Sequence, residues 1–172
     1  MSVLLDTNML TRAAQPGHPL HQDALAALDV LRQRGEELCI VPQNLYEFWV
    51  VATRPVTANG MGMSPAQAEA ELSSLKTLFR FLNDSPRIYT EWERVVTQYA
   101  VSGKPAHDAR LVAAMLVHGL MQLLTFNVDD FVRFSTITVL SPRGTRQRPA
   151  TPRSVAGSRA VGPALRGAAA QA

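Results

Sequence analysis

Short apolar runs alternate along this chain with longer stretches in which apolar residues recur at helical spacing. The short runs predict strands over residues 2–5, 38–41, 88–89, 120–126 and 137–140. The amphipathic stretches predict helices over residues 20–34, 43–53, 65–83, 90–102, 106–118 and 128–134. Strands that alternate with helices are typical of α/β folds with a parallel sheet. The pattern therefore predicts an α/β protein.

Serine, proline and glycine mark several ends of the predicted helices. Ser64 and Pro65 are residue types preferred at the N-cap and at the first helical position. Gly35 and Gly119 follow the last periodic residues of two helices, where glycine is favoured because it readily adopts a left-handed backbone. These residues bound three of the predicted helices.

The composition changes near residue 141. The chain has 172 residues, 47% of them apolar, which suits one compact domain with a substantial core. From Ser141 onward the chain is rich in Pro, Gly, Ala, Ser and Arg and shows no helical or strand periodicity. We therefore expect one domain over residues 1–142 and a disordered, low-complexity tail over residues 143–172.

Charge divides at the same point. Residues 143–172 hold six arginines and no acid, so subtracting them from the 17 Lys and Arg of the chain leaves 11 against 14 Asp and Glu. The predicted domain is therefore about −3, and the net charge of +3 comes from the tail. A basic arm adds salt-dependent affinity for RNA or DNA, while a solvated extension without a role is an equally open interpretation.

The remaining composition excludes some classes of protein. Cys39 is the only cysteine, so the chain has neither a disulfide framework nor a thiolate metal cluster. No apolar run approaches the length that spans a bilayer, and no basic segment precedes an apolar one at the N-terminus. We expect a soluble, cytoplasmic protein that makes no contact with a membrane.

Asp6 lies at the end of a predicted strand, and Glu47 lies in an apolar helix where burial of a carboxylate is unfavourable. Asp6 follows the first predicted strand, and α/β proteins bind ligands in the crevice beyond the carboxyl ends of parallel strands. Asp6 is alternatively an N-cap for the residues that follow.

Glu47 lies in a helix that is apolar nearly all round, so we expect it to be buried on every side. It then needs a cation, a hydrogen-bond network or an ion pair with Arg54 or Arg12.

Asp108 lies in the first turn of the predicted helix 106–118. It shares a face with Leu111, Val112 and Met115, which places it at the end of the stripe that faces the core. The N-terminus of a helix favours negative charge, so a metal-binding carboxylate stays ionised there. Capping without chemistry is the alternative.

The strand predicted over residues 120–126 is followed by Asn127, Asp129 and Asp130. An Asn at the N-cap with acids in the first turn is an ordinary way to begin a helix, so this segment decides nothing by itself. Combined with Asp6, Glu47 and Asp108, however, it brings acids from four segments toward one edge of one sheet. Like charges a few ångströms apart protonate one another unless a cation is present. Hard oxygen ligands without Cys or a His pair favour Mg²⁺ or Mn²⁺.

The order and surroundings of these acids resemble the PIN domain, and in particular the VapC-like ribonuclease toxins of bacterial toxin–antitoxin modules. The matching segments are LLDTNML at 4–10, PQNLYEFWVV at 42–51, HDARLVAAML at 107–116 and LLTFNVDDF at 123–131. They span nearly all of residues 1–140 in family order. The resemblance implies a three-layer α/β/α sandwich around a parallel sheet and metal-dependent hydrolysis of RNA. It also implies a homodimer and, often, neutralisation by a small antitoxin protein.

The resemblance also assigns roles to individual residues. The four catalytic and metal-binding acids that it implies are Asp6, Glu47, Asp108 and Asp130. Asp130 is chosen because VapC-like sequences with the pattern TxNxxDF use the later Asp, whereas many PIN domains have an acid at the position of Asn127. Asp129 is then expected to face solvent. The auxiliary polar residues are Thr7, Asn8, Thr125 and Asn127. Arg12, Arg54, Lys104 and the tail arginines are candidates to meet the charge of the substrate, and a role as solvated surface residues is the alternative.

Other enzymes with acidic sites fit less well. A haloacid-dehalogenase-like phosphatase needs a second Asp two residues after the first, and an exonuclease needs Glu there, but this chain has Asn8. No middle strand ends in the single Asp of a response-regulator receiver. From another class, a catalytically degenerate PIN module that binds RNA or a protein partner without cleavage is the remaining alternative.

Overall fold

A computed structural model describes residues 1–147, with side chains through Thr145. The strands are β1 (Ser2–Leu5), β2 (Glu37–Ile40), β3 (Arg80–Phe81), β4 (Gln122–Leu124) and β5 (Thr138–Leu140). The helices are α1 (Thr7–Ala13), α2 (His21–Gln33), α3 (Pro42–Thr53), α4 (Pro65–Leu78), α5 (Arg87–Gln98), α6 (Ala106–Val117), α7 (Val128–Phe131) and α8 (Pro142–Gln147), and a 3-10 turn covers Val56–Ala58.

The five strands form one parallel sheet in the order β3-β2-β1-β4-β5. Leu4 of β1 is paired with Cys39 on one side and with Leu123 on the other. The chain builds the sheet outward from β1 in one direction through β2 and β3, and then returns to add β4 and β5 on the opposite side. The strand order therefore reverses between β1 and β4, and a crevice opens at such a point beyond the carboxyl ends of the two strands.

Helices cover both faces of the sheet. Side chains of a strand alternate between its faces, so Val3 and Leu5 pack with α1–α4 while Leu4 packs with α5 and α6. All three side chains are fully buried, which is why β1 has no polar position between Val3 and Leu5. The result is the three-layer α/β/α sandwich that the family resemblance implied, built on the α/β pattern that the sequence predicted.

Two local predictions were wrong. The helix predicted over 65–83 ends at Leu78, and the short edge strand β3 follows it. Ile88 and Tyr89, predicted as a strand, lie in the first turn of α5. Ile88 and Val95 are seven residues apart and both are buried against α6, so the apolar residues follow the helical rather than the strand period.

The prediction of a tail that is disordered from residue 143 was also wrong for its first residues. Residues 142–147 form α8, which packs on α2 and buries Thr145. The Arg34 guanidinium donates to the Thr145 carbonyl at 2.7 Å, and Arg143 pairs with Asp23 at 3.0 Å. Ser141 accepts from the Gly144 amide and precedes Pro142, the same serine–proline start as at residue 64. The rest of the predicted tail, 148–172, lies outside the described residues.

Within residues 1–147, no helix has the length and apolar character needed to cross a membrane.

Candidate active site at the switch point of the sheet

Asp6 is the first residue after β1, at the point where the strand order reverses. Its backbone is extended, and its amide continues the sheet by donating to the Leu124 carbonyl at 3.0 Å. Within the described chain its carboxylate makes no capping hydrogen bond to α1, although Asp6 occupies the N-cap position. The side chain is only 9% exposed. Capping therefore does not explain the acid at this position.

Two polar side chains hold the Asp6 carboxylate. Its Oδ2 accepts from the Thr125 hydroxyl at 2.6 Å and from the Asn8 amide at 2.7 Å. The Asn8 amide also donates to Thr125 Oγ1 at 3.0 Å, and the Asn127 backbone amide donates to the same oxygen at 2.9 Å. Asn8 and Thr125 thus fix one oxygen of Asp6 from two neighbouring strand ends. The Asn127 backbone, rather than its side chain, completes this network.

Glu47 lies on α3 and is half-buried, so the prediction that it is buried on every side was wrong. The helix exposes Tyr46 and Val50 beside it, so the rest of the described chain leaves this face of α3 uncovered. Glu47 Oε2 accepts from the Thr7 hydroxyl at 2.5 Å, and Oε1 accepts from Gln43 at 2.8 Å. In the described part of the chain, the ion pair with Arg54 or Arg12 does not form.

Gln43 is a site residue that the sequence analysis missed. Its side chain is buried, and its amide nitrogen donates to Glu47 and also to the His107 carbonyl at 3.0 Å. Its amide oxygen accepts from Arg110 at 3.2 Å, and Arg110 forms an ion pair with Asp84 at 2.9 Å. Gln43 precedes Glu47 by one helical turn, so the i, i+4 spacing was a signal from which the contact was predictable.

Asn44, also missed, joins α3 to β1. Its side chain is fully buried, accepts from the Val41 amide at 2.9 Å and donates to the Leu5 carbonyl at 3.0 Å. It therefore caps α3 and binds the last residue of β1 at the same time. Asp6 directly follows β1 and Glu47 lies on α3, so Asn44 joins the two segments that carry these acids.

The predicted acids line one groove of about 560 Å³. Asp108 enters from the first turn of α6 and is half-buried, whereas Asp130 enters from α7 and is exposed. The residues that line the groove include Asp6, Thr7, Asn8, Glu47, Asp108, Asn127 and Asp130, and also Arg12, Arg54, Lys104 and His107. Asp129 is exposed and is not part of this lining. Thr125 lies behind Asp6 and is fully buried.

Burial and mutual repulsion oppose ionisation of these acids. Burial, opposed by the Thr125 hydrogen bond and reinforced by the charges of Glu47 and Asp108, raises the pKa of Asp6 to about 6. Burial, and then the charges of Asp130 and Glu47, also raises the pKa of Asp108 above its usual range. The acids are therefore close enough to affect one another although they come from separate elements.

The chemistry of these donors suits a divalent cation, but the side chains do not form a complete coordination shell. All four acids are oxygen donors in one groove, and Asp6 and Asp108 are destabilised as anions by their surroundings. Within residues 1–147, however, no group of three or more His, Cys, Asp or Glu side chains is arranged so that it holds a metal ion as it stands. Mg²⁺ commonly uses one or two carboxylates with water and substrate phosphate as its other ligands. The groove suits that open mode of binding.

The order of the sheet and the acids at its switch point define a PIN-like α/β/α fold, and solved structures share it. VapBC2 from Rickettsia felis, bound to a DNA fragment from their promoter, contains a chain that matches with a TM-score of 0.63 at 16% identity, over 82% of this chain and 98% of that one. FitAcB from Neisseria gonorrhoeae gives 0.59 at 17% identity, over 82% and 98%. VapC20 from Mycobacterium tuberculosis, a toxin that cleaves the sarcin–ricin loop, gives 0.52 at 17%, over 70% and 86%.

No protein-family model matches the sequence, and no curated protein sequence matches it either. Identities of this size establish similarity of fold and carry no function with them. The chain has the VapC-like PIN fold that its four segments predicted. What it does must be argued from the groove.

Proposed function

We propose that this chain is a metal-dependent endoribonuclease that hydrolyses RNA phosphodiesters in the acidic groove. The observation that carries the proposal is that Asp6, Glu47, Asp108 and Asp130 reach one groove from four separate elements. Such an arrangement of like charges raises pKa values and has a cost in stability that a structural role does not require. The cost is explained if the acids hold Mg²⁺ or Mn²⁺.

Each acid has a supporting group in this proposal. Asn8 and Thr125 hold one oxygen of Asp6, and Thr7 and Gln43 hold the two oxygens of Glu47, which keeps both carboxylates oriented. A divalent ion bound by these acids supplies a water of lowered pKa and neutralises charge on the phosphate.

The cationic side chains of the groove bind the polyanionic substrate in this proposal. Arg12, Arg54 and Lys104 line the groove together with the acids. The phosphates on either side of a scissile bond need partners for their charge, and these three side chains would supply them. Hydrolysis then leaves a 5′-phosphate and a 3′-hydroxyl.

The test is cleavage of RNA by the wild-type chain and by Asp6→Asn, each with Mg²⁺, with Mn²⁺ and with EDTA. We expect cleavage that requires the ion and falls more than about 100-fold in Asp6→Asn, because the carboxylate is lost while the Thr125 and Asn8 hydrogen bonds still have an acceptor. Asp129→Asn is the matched control, since that acid is exposed and is not in the groove lining. Equal rates for wild type and Asp6→Asn refute the site.

A catalytically degenerate module is the other outcome of the same experiment. Glu47 already has hydrogen-bond partners at both oxygens, which suits a groove that binds RNA without a metal as well as one that binds through it. RNA binding in EDTA, together with no cleavage in either ion, identifies that function instead.

We also propose that the chain is a homodimeric, cytoplasmic toxin that a small antitoxin protein neutralises. The similar chains in VapBC2 and FitAcB support this, as do the exposed apolar side chains Tyr46, Val50 and Val56 near the groove. Co-expression with the product of a short neighbouring reading frame should relieve toxicity, and light scattering should give a dimer mass. Toxicity that no such product relieves points to a stand-alone nuclease.

A further inference from the structure

A second cavity, of about 370 Å³, lies beside the acidic groove. Its walls are the loop after β3, the first turns of α5 and Arg110 of α6. The loop after β3 and the start of α6 lie at the carboxyl edge of the parallel sheet, the same edge at which Asp6 follows β1. Its volume is within the range of roughly 300–1,000 Å³ that is typical of ligand pockets. The chemistry proposed for the groove makes no use of it.

Two aromatic side chains form one wall of the cavity. The Tyr89 ring is 64% exposed, and its centroid lies 5.7 Å from that of Trp92. The Trp92 indole donates to the Ala106 carbonyl at 2.9 Å, which fixes Trp92 against the start of α6. An exposed ring supported by a fixed neighbour provides a surface on which a nucleobase stacks.

Asp84 and Arg110 form another wall of the cavity. Their ion pair, at 2.9 Å, places a carboxylate acceptor next to a guanidinium that carries several N–H donors. The edges of nucleobases present amino donors and ring or carbonyl acceptors, which carboxylate and guanidinium groups recognise respectively. The cavity therefore combines a stacking surface with hydrogen-bonding groups of both kinds.

A short chain of hydrogen bonds connects this cavity to the acids. Arg110 donates to the Gln43 oxygen at 3.2 Å, and the Gln43 nitrogen donates to Glu47 at 2.8 Å. One residue thus separates the wall of the cavity from a proposed metal ligand.

We propose that this cavity binds one unpaired base of single-stranded RNA next to the phosphate that is cleaved. The inference rests on the proposed nuclease function and specifies its substrate: a base inside the cavity is unstacked from its neighbours, so duplex RNA is excluded. Tyr89 is then a determinant of binding, and it takes no part in the chemical step.

The test measures binding of a labelled single-stranded oligoribonucleotide by fluorescence anisotropy, on the full-length chain carrying Asp6→Asn so that no cleavage occurs. Adding Tyr89→Ala should weaken binding by about fivefold to a hundredfold, the range for loss of one base–aromatic stack. Tyr89→Phe should keep the affinity because it keeps the ring. Leu78→Ala is the matched control, since Leu78 is a large apolar side chain of similar exposure, at 60%, and lines neither cavity nor groove.

A second arm uses the same oligonucleotide with one abasic nucleotide placed at each position in turn. At one position, the missing base should weaken binding to Asp6→Asn by the factor seen with Tyr89→Ala. At that position, the protein that also carries Tyr89→Ala should bind the abasic and the intact oligonucleotide with the same affinity. Equal affinities for all variants and all oligonucleotides overturn the base site. A protein partner is then the better occupant of the cavity.

The two proposals fail in different ways. If wild type cleaves RNA with Mg²⁺ or Mn²⁺ but Tyr89→Ala leaves binding and KM unchanged, the base site is refuted and the nuclease stands. If no cleavage occurs but binding depends on Tyr89 and on one base, the base site stands and the nuclease is refuted. In an active enzyme, Tyr89→Ala should raise KM and leave kcat unchanged, because the ring does not touch the reacting atoms.

Discussion

At the scale of single residues, Asp6 combines a stabilising network with an unfavourable charge. Burial and the charges of Glu47 and Asp108 oppose the ionised form more strongly than the hydrogen bonds from the Thr125 hydroxyl and the Thr7 backbone favour it, so the pKa of Asp6 rises from 3.8 to about 6. A carboxylate with a raised pKa binds protons more tightly in the folded than in the unfolded chain. The stability of the metal-free protein therefore falls as pH rises through the interval between these two values.

Asp6→Asn should consequently stabilise the metal-free protein at neutral and alkaline pH. A shift of this size corresponds to about 3 kcal/mol at pH 8, an upper figure since Asn also differs in its hydrogen bonding. Chemical denaturation in EDTA at pH 4, 6 and 8 should show the wild type losing stability relative to Asp6→Asn across this range. Asp129→Asn is the control, because Asp129 is exposed and is not part of the groove lining. If the free energy of unfolding changes with pH in the same way for wild type and Asp6→Asn, the charge of Asp6 does not destabilise the folded protein.

The sequence identified Asp6, Glu47, Asp108 and Asp130 as candidates, and all four line the groove. Their positions were predictable because parallel strands end at one edge and the returning helices begin there. The groups that hold them were less predictable: the i, i+4 spacing indicates the contact of Gln43 with Glu47, but the contact of Gln43 with α6, and that of Asn44 with the end of β1, require the packing of α3 to be known. Such contacts depend on packing between distant segments, which a local pattern does not specify.

At the scale of elements, the errors of prediction have a common physical cause. The two-residue strand β3 is too short for an alternating pattern, and the apolar residues 88–89 are the first turn of a helix whose stripe becomes clear only with Val95. Helix α1 was not predicted, because it is short and includes polar residues such as Asn8, whose amide binds the Asp6 carboxylate. Helix α8 has a serine–proline start but needs α2 to cover it. Tertiary packing, rather than propensity, decides these elements.

Gln43 connects two elements of the site, α3 and α6. Its replacement should leave the Glu47 carboxylate less well oriented. Gln43→Leu keeps a buried side chain of similar size but leaves Glu47 Oε1, the His107 carbonyl and Arg110 without this partner. We expect metal affinity or kcat to fall about 10- to 100-fold, the usual effect of losing a group that orients a ligand. Isothermal titration with Mn²⁺ and cleavage assays measure the two quantities.

Gln98→Leu is the control for that variant, because Gln98 is exposed on α5, contacts Arg94 and lines neither the groove nor the second cavity. It should change neither metal affinity nor kcat. If Gln43→Leu behaves like Gln98→Leu in both measurements, the contact with Glu47 has no role in the site. Circular dichroism on both variants separates a loss of orientation from a loss of fold.

At the scale of the whole molecule, charge is distributed unevenly between the described residues and the rest. Residues 148–172 contain four arginines and no acid, so removing them changes the net charge from +3 to −1. An RNA-binding surface on residues 1–147 must therefore be a local one, such as Arg12, Arg54 and Lys104 around the groove, rather than a general positive field. Any long-range attraction of RNA then comes from residues 148–172.

A chain ending at Gln147 should consequently bind single-stranded RNA more weakly at low salt and about equally at high salt. If all four arginines meet phosphates, the slope of log K against log salt becomes shallower by about 3, since each contact with a single strand contributes about 0.7. Replacing the four arginines with glutamine in the full-length chain should reproduce this change, which separates charge from length. Cleavage at saturating RNA should be unaffected, because the four proposed metal ligands all lie within residues 1–147. Equal salt slopes for the full-length, shortened and glutamine chains favour the interpretation of this segment as a solvated extension.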